Sequence, residues 1–125
     1  MQAQLEHLNV TVPAPKATAA MLEDIFGWRI RWQGSAKDDG YSVHVGADDS
    51  YVALYAPGTP LKEPSNSYTR VGGLNHLGVT VDDLDAVEAR VKARGYTAYS
   101  HGNYEPGRRF YFRDENGLEI EVVEY

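Results

Sequence analysis

The sequence predicts an α+β fold built from two βαβββ modules in tandem. The stretch HLNVTV, at residues 7–12, returns as HLGVTV at residues 76–81, which is 69 positions later. Gly27 and Gly95, which follow the two helical patterns of the chain, are 68 positions apart. A strand, a helix and three more strands can be assigned on each side of a polar connector. The chain is therefore interpreted as an internal duplication of a half-size module that could not bury its sheet alone.

Module 1 covers about residues 4–57 and begins with an alternating strand. In LEHLNVTV the apolar residues point to one face, and His7 lies on the polar face. PAPKATAAMLEDIFG has prolines at its start, apolar residues at helical spacing and Gly27 at its end, which predicts an amphipathic helix. WRIRWQG, YSVHVGA and YVALYA are strand-like runs separated by turn-forming residues. This order gives βαβββ.

Module 2 covers about residues 73–125 and repeats that order. Residues 58–72 are rich in Pro, Gly, Ser and Asn and show no period, which predicts a connector. LNHLGVTV is a predicted strand, and DDLDAVEARVKARG is a predicted helix capped by Asp82 or Asp83. YTAYSHG, RRFYFRD and LEIEVVEY are the three closing strands.

Composition excludes several classes of function. A chain of 125 residues with 42% hydrophobic residues is typical of one domain with a sizeable core. The net charge is −6 and no Lys/Arg cluster forms a basic stripe, so nucleic acid is not an expected partner. No apolar run is long enough to span a membrane, and the absence of cysteine fits a cytoplasmic location. Any bound metal must use His, carboxylate or water as ligands.

Three side chains on the polar faces suggest a metal site. His7 and His76 open the first strand of each module, and Glu121 lies on the polar face of the last strand. If the sheets curl around a central metal or ligand cavity, with the helices outside, these side chains can converge on it. Two imidazoles and one carboxylate form a facial triad that suits Fe²⁺ and also Mn²⁺. His7, His76 and Glu121 are therefore the candidate metal ligands.

These residues resemble the vicinal oxygen chelate superfamily, which includes glyoxalase I, extradiol dioxygenases, fosfomycin-resistance enzymes and bleomycin-binding proteins. The resemblance rests on the paired modules, the "HL.V.V" strand openings and the terminal FYFRDENGLEIE. It implies the same three ligands. Glyoxalase I enzymes typically have a fourth ligand in the last strand of the first module, but the offset of 68 maps Glu121 onto Ala53. A coordination position is then left open for substrate or water.

The resemblance also implies catalytic residues. Extradiol dioxygenases and fosfomycin-resistance enzymes have a Tyr ten residues before the ligating Glu, and Tyr111 stands at that spacing. His101 stands where dioxygenases often have a His that interacts with bound oxygen. Strand parity does not decide which face His44 occupies.

Three residues are candidate contacts for a substrate. Fosfomycin-resistance enzymes have a Thr two residues after the first His, where this chain has Asn9. Arg109 shares the parity of Tyr111 and could approach an anionic substrate. Ala53 stands at the position of the missing fourth ligand, and its small side chain leaves room for a substrate. The aromatic residues near the predicted pocket suit a flat ligand or a dimer interface: Tyr51, Tyr55, Tyr99 and Tyr104.

The resemblance implies a divalent-metal-dependent enzyme that acts on a small oxygen-chelating molecule, with Fe²⁺ or Mn²⁺ favoured over Zn²⁺ or Ni²⁺. Extradiol-dioxygenase-like chemistry is the leading hypothesis. The alternatives are a fosfomycin-resistance-like transferase, a glyoxalase-like isomerase or lyase, and a metal-free bleomycin-resistance-like protein that sequesters its ligand. Unpaired edge strands favour a homodimer.

Overall fold

The computed structural model describes every residue from Met1 to Tyr125 and divides into two compact units, Met1–Lys62 (unit 1) and Glu63–Tyr125 (unit 2). Unit 1 contains β1 His7–Thr11, α1 Pro15–Phe26, β2 Arg29–Ala36, β3 Gly40–Gly46 and β4 Tyr51–Ala56. Unit 2 contains a short 3-10 helix Ser67–Thr69, β5 Leu77–Thr80, α2 Leu84–Ala93, β6 Tyr99–Tyr104, β7 Gly107–Arg113 and β8 Glu119–Glu124. The predicted tandem βαβββ architecture is confirmed.

Each unit holds one four-stranded mixed sheet with the same topology. The strand order is β1-β4-β3-β2 in unit 1 and β5-β8-β7-β6 in unit 2. In both, the first strand pairs in parallel with the last, and the remaining pairs are antiparallel. The helix and the two strands that follow it supply the long connection that a parallel pair requires. The duplication seen in the sequence is therefore a duplication of sheet topology.

The apolar face of each sheet packs against the helix of its own unit. In unit 1 this face is aliphatic, and in unit 2 it includes two phenylalanines. The fully buried large side chains are Val12, Met21, Leu22, Ile25, Val43, Val45 and Leu54 in unit 1, and Val91, Phe110, Phe112, Ile120 and Val122 in unit 2. Burial of these side chains leaves the opposite, polar face of each sheet to carry chemistry.

The two helices begin differently. Asp83 caps α2, because its carboxylate accepts a hydrogen bond from the backbone N–H of Ala86 at 3.1 Å. Ala14 occupies the same position before α1 and has no capping side chain, although Pro15 follows it as the first helical residue. Gly27 ends α1 with a φ of 68°, a conformation that costs glycine little.

Two local features depart from the sequence prediction. The predicted connector contains the 3-10 helix at Ser67–Thr69, whose start is capped because the side chain of Asn66 accepts a hydrogen bond from the N–H of Tyr68. Strand β6 has an irregular register between Tyr99 and Gly102, where Ser100 adopts a φ of 53°. Neither helix has the length and apolar content required to cross a membrane.

Candidate functional site

The polar face of unit 2 brings four strands into one row. Tyr99 pairs with Tyr111, Tyr111 with Glu121 and Glu121 with Gly78, so these positions lie side by side across the sheet. His76 immediately precedes β5 and lies two residues before Gly78. The row places an imidazole, a carboxylate and two phenols on one face.

His76 and Glu121 are in direct contact. The Nε2 atom of His76 lies 3.1 Å from Oε1 of Glu121, and the two side chains are 30% and 12% exposed. A nitrogen and an oxygen at this separation either share a proton or coordinate the same cation. Two of the three predicted ligands are therefore neighbours on the polar face of the unit 2 sheet.

The other oxygen of Glu121 is occupied by Arg109. Nη1 of Arg109 donates to Oε2 of Glu121 at 2.8 Å, and both side chains are 12% exposed. The guanidinium also lies over the ring of Tyr104, 4.6 Å from its centroid, and its buried Nε has no hydrogen-bond partner. Arg109 orients the Glu121 carboxylate so that Oε1 faces His76, and part of its own donor capacity remains unused.

Tyr111 lies beside this pair. Its ring meets that of His76 edge-on, with 5.5 Å between the centroids and an interplanar angle of 85°. Burial, together with the charge of Glu121 and a hydrogen bond to it, raises the pKa of Tyr111 above its ordinary value. Tyr111 is therefore a protonated phenol at neutral pH and can donate a hydrogen bond.

A second carboxylate, that of Glu119, lies on the same face of β8, two residues before Glu121. It is 6% exposed, and it accepts hydrogen bonds from the hydroxyls of Tyr68 and Tyr99 as well as one of 3.2 Å from Arg113. Burial by itself raises the pKa of Glu119, but these donors and the nearby His76 outweigh burial, so the net pKa lies below the ordinary value. Glu119 is an ionised, fully engaged acceptor.

His101 occupies the other face of the unit 2 sheet. Regular alternation would place it with Tyr99, but the irregular register at Ser100 turns its side chain towards α2. There its Nε2 lies 2.9 Å from Oε2 of Glu88, and its ring stacks on Phe110 with 5.9 Å between the centroids. The hydrogen bond with His101 lowers the pKa of Glu88. This arrangement places His101 away from Tyr111 and Glu121.

The polar face of unit 1 carries an aromatic row instead of carboxylates. His7 stacks on Tyr51 at 4.9 Å, Tyr51 on His44 at 4.6 Å, and Trp32 lies 5.0 Å from His44. Burial, followed by the charges of His7 and Arg31, lowers the pKa of His44. The pairing of His44 with Ala53 places it on the same face as His7, which parity alone left open.

Asn9 and Ala53 pair directly on this face, and Asn9 is two residues after His7. Glu121 pairs with Gly78, which is two residues after His76. Ala53 therefore occupies the position in unit 1 that Glu121 occupies in unit 2, as the sequence offset predicted. Its side chain carries no ligating atom.

The predicted triad is divided between the units. His76 and Glu121 belong to unit 2 and His7 to unit 1, and the structure shows no group of three or more His, Asp and Glu side chains arranged to hold a metal ion. The three-residue metal site stays a prediction. Sequence reasoning missed Tyr68, because it lies in a segment without a period, and its capping Asn66 was the only local signal.

Comparisons with known proteins agree with this architecture. The sequence profile of the Glyoxalase/Bleomycin resistance protein/Dioxygenase superfamily matches residues 4–122, so the chain belongs to that superfamily. A search of the curated proteins finds no match.

Solved structures share the fold at low sequence identity. A glyoxylase/bleomycin resistance protein/dioxygenase domain from Frankia sp. EAN1pec matches with a TM-score of 0.82 and 20% identity, over 99% of this chain and 98% of that one. The fosfomycin resistance protein FosX from Listeria monocytogenes, at pH 6.5, matches with a TM-score of 0.74 and 20% identity, over 98% and 94%. FosX complexed with Mn(II) and a sulfate ion matches with a TM-score of 0.73 and 18% identity, over 100% and 94%.

Proposed function

We propose that the chain is a divalent-metal-dependent enzyme that acts on a small molecule able to chelate the ion through oxygen atoms. The observation that carries this proposal is the 3.1 Å separation of His76 Nε2 and Glu121 Oε1. Two ligand atoms that each lie about 2.1 Å from one ion, in octahedral or tetrahedral geometry, are about 3.0–3.4 Å apart. The donor pair therefore fits a divalent cation in both chemistry and spacing.

His7 is the proposed third ligand, contributed by unit 1. Its Nδ1 lies 2.9 Å from Oε1 of Glu6, which leaves Nε2 available to a cation. A carboxylate on the second ring nitrogen is the usual partner of a metal-binding histidine. Ala53 contributes only a methyl group, so substrate oxygens or water would complete the coordination shell.

The bound ion would supply Lewis-acid stabilisation of negative charge on a substrate oxygen. Tyr111, kept protonated by its raised pKa, would exchange its hydrogen bond with Glu121 for one donated to that oxygen. Arg109 holds Glu121 in position through its hydrogen bond to Oε2. Asn9 adds an amide on the unit 1 face next to Ala53.

The class of reaction is a finer proposal. The sequence favours extradiol cleavage with Fe²⁺, but the contact of His101 with Glu88 leaves Tyr111 as the remaining catalytic candidate for that reaction. Addition to an epoxide with Mn²⁺ is the second candidate, and the likeness to FosX complexed with Mn(II) favours it. The homodimer and the cytoplasmic location stay predictions.

Calorimetric titration with Mn²⁺ tests the metal site. We expect His76→Ala and Glu121→Ala each to weaken binding at least about a hundredfold, and His7→Ala to weaken it about tenfold to a hundredfold. His101→Ala is the matched control, because it removes an imidazole on the opposite face of the sheet. Equal affinity of all variants, or no binding by the wild-type chain, would contradict the proposal and favour a metal-free ligand-sequestering protein.

Three assays then separate the reactions. Oxygen uptake on catechols with Fe²⁺ would support extradiol cleavage, and thiol addition to epoxides with Mn²⁺ would support the fosfomycin-resistance-like candidate. Efficient isomerisation of hemithioacetals with Ni²⁺ or Zn²⁺ would show that glyoxalase-like activity does not require a fourth ligand at the position of Ala53. Loss of turnover in Tyr111→Phe with metal affinity unchanged would identify Tyr111 as catalytic.

A further inference from the structure

We propose that the polar face of unit 1 binds a planar aromatic acid, whose ring stacks on Trp32 and whose carboxylate pairs with Arg31. The inference rests on the proposed function in taking this ligand to be the substrate, and it adds the chemical class of that substrate. It concerns contacts within unit 1 only. Neither Trp32 nor Arg31 is one of the predicted site residues.

A β-bulge brings both side chains to this face. Ile30 pairs with Val45 and Trp32 with His44, so Arg31 is an extra residue of β2 opposite a single step of β3. Regular alternation would place Trp32 on the core face together with Ile30. The bulge turns the indole to the polar face instead, where it lies 5.0 Å from the ring of His44. Bulges that redirect a side chain in this way are frequent beside active sites.

Trp32 is the member of the aromatic row that has an open ring face. The rings of His7, Tyr51 and His44 stack on one another with interplanar angles of 12° and 22°, so they cover each other. Trp32 lies on an edge strand, is tilted by 51° from His44 and is 50% exposed. Gly34 makes room for the indole, because a Cβ atom there would lie 2.9 Å from Cζ2 of Trp32. An indole supported by its neighbours and half open to solvent is a surface on which a planar ring can stack.

Arg31 supplies a positive charge beside this surface. Its guanidinium carbon lies 4.8 Å from the centroid of the Tyr51 ring. No carboxylate pairs with Arg31, whereas Arg29 donates a hydrogen bond of 2.7 Å to Asp48. A guanidinium that is not neutralised by the protein matches the planar carboxylate of a ligand.

The ring surface and the charge are close enough for one small ligand. Trp32 contacts the ring of His44, and Arg31 contacts that of Tyr51. The centroids of these two supporting rings are 4.6 Å apart. The face therefore favours a ligand that carries an aromatic ring and a carboxylate in the same molecule.

Calorimetric titration of metal-free protein with naphthoate tests the inference. Two analogues separate the two contacts. Decahydronaphthoate keeps the charge and the carbon skeleton but is not planar, and naphthamide keeps the rings without the charge. We expect naphthoate to bind at least about tenfold more tightly than either analogue.

Substitutions assign each preference to a residue. Trp32→Leu should weaken naphthoate binding about tenfold and remove the preference over decahydronaphthoate. Arg31→Gln should weaken it about tenfold and remove the preference over naphthamide. Gly34→Ala keeps the indole but displaces it, so this variant should also bind more weakly. Arg29→Gln is the matched control, because Arg29 is already paired with Asp48, and its affinity should equal that of the wild type.

NMR of the indole N–H groups gives the location. Addition of naphthoate should shift the signal of Trp32, because the ring current of a stacked ligand acts on it. The signal of Trp28, which lies beside Phe26, should stay in place.

Equal binding of naphthoate and decahydronaphthoate, no binding, or wild-type affinity in both Trp32→Leu and Arg31→Gln would overturn the inference. A Trp32 signal that moves with protein concentration, without ligand, would assign this face to contact between copies of the chain and would also overturn it. Mn²⁺ binding without naphthoate binding would overturn this inference alone. Naphthoate binding that follows the variants, in a protein that binds no Mn²⁺, would uphold the ligand class and overturn the proposed enzyme function.

Discussion

The two sheets have the same strand order and pairing, but their polar faces carry different chemistry. At equivalent positions, unit 1 has Tyr51 and Ala53 where unit 2 has Glu119 and Glu121. The face of unit 1 is a row of stacked rings, whereas that of unit 2 is a network of carboxylates, phenols and guanidinium groups. Backbone topology was therefore retained after duplication, and the polar faces diverged.

The cores differ too, and the largest expected effect tests this difference. Phe110 and Val43 are fully buried and occupy equivalent positions, each on the third strand of its sheet and paired with the last. Phe110→Ala should lower the free energy of unfolding by about 3–5 kcal/mol because it leaves a large cavity. Val43→Ala should cost about 2 kcal/mol. Urea denaturation measures both changes. Equal losses of unfolding free energy would show that Phe110 in unit 2 contributes no more to stability than Val43 in unit 1.

Converting unit 1 towards unit 2 tests the contrast between Ala53 and Glu121. At the proposed metal site, Ala53→Glu would add a carboxylate ligand, so it should raise Mn²⁺ affinity about tenfold and slow turnover of a chelating substrate. Without metal the variant should be less stable than the wild type, because Ala53 is 2% exposed and a carboxylate there is buried. Ala53→Gln is the control for volume. If calorimetry gives Ala53→Glu the same Mn²⁺ affinity as the wild type, position 53 is not equivalent to position 121 in metal binding.

Helix capping offers a smaller, reciprocal test. Asp83→Ala removes the side-chain cap of α2 and should lower the free energy of unfolding by about 1 kcal/mol. Ala14→Asp introduces a cap at the equivalent position of α1 and should raise it by up to about 1 kcal/mol. Thermal unfolding followed by circular dichroism measures both changes. A destabilised Ala14→Asp protein would mean that the entry to α1 cannot accept a capping side chain.

The smallest expected effect is on stability at alkaline pH, and it concerns Tyr96, the residue after Gly95 at the end of the second helix. Burial, then a hydrogen bond of 2.5 Å to Glu115 and the charge of Glu115, raises the pKa of Tyr96 to about 12. An unfolded tyrosine titrates near pH 10, so protonated Tyr96 contributes stability that is complete below about pH 10 and is lost as pH rises towards 12. Tyr96→Phe should make the alkaline fall in unfolding free energy shallower, by about 1 kcal/mol or less.

Trp28 is the matched position in unit 1, where it follows Gly27 and packs near Phe26 at 5.1 Å. Its side chain does not ionise, so Trp28→Phe should leave the shape of the alkaline profile unchanged. Denaturation at a series of pH values between 9 and 12 compares the two variants. Parallel profiles for wild type and Tyr96→Phe would show that Tyr96 does not contribute to the alkaline limb.

Sequence periodicity was sufficient to predict which face of its strand most of the candidate site residues occupy. The alternation of β8 predicts that Glu119 and Glu121 share a face, and the offset between the modules predicts that Ala53 is the counterpart of Glu121. These assignments succeed because side chains in a regular strand alternate with a period of two. His101 shows the limit: one residue with positive φ, Ser100, changes the parity and turns the imidazole towards Glu88.

The sequence alone determined the duplicated architecture, because two hydrophobic periods and the turn residues between them specify which segments are strands and which are helices. It also placed His76 and Glu121 on the polar faces of their strands. Only the tertiary structure decided that Tyr68, from an aperiodic segment, meets Glu119 across 51 positions, and that Arg109 occupies one oxygen of Glu121. Such contacts depend on where a loop returns to the sheet and on side-chain rotamers, and neither leaves a period in the sequence.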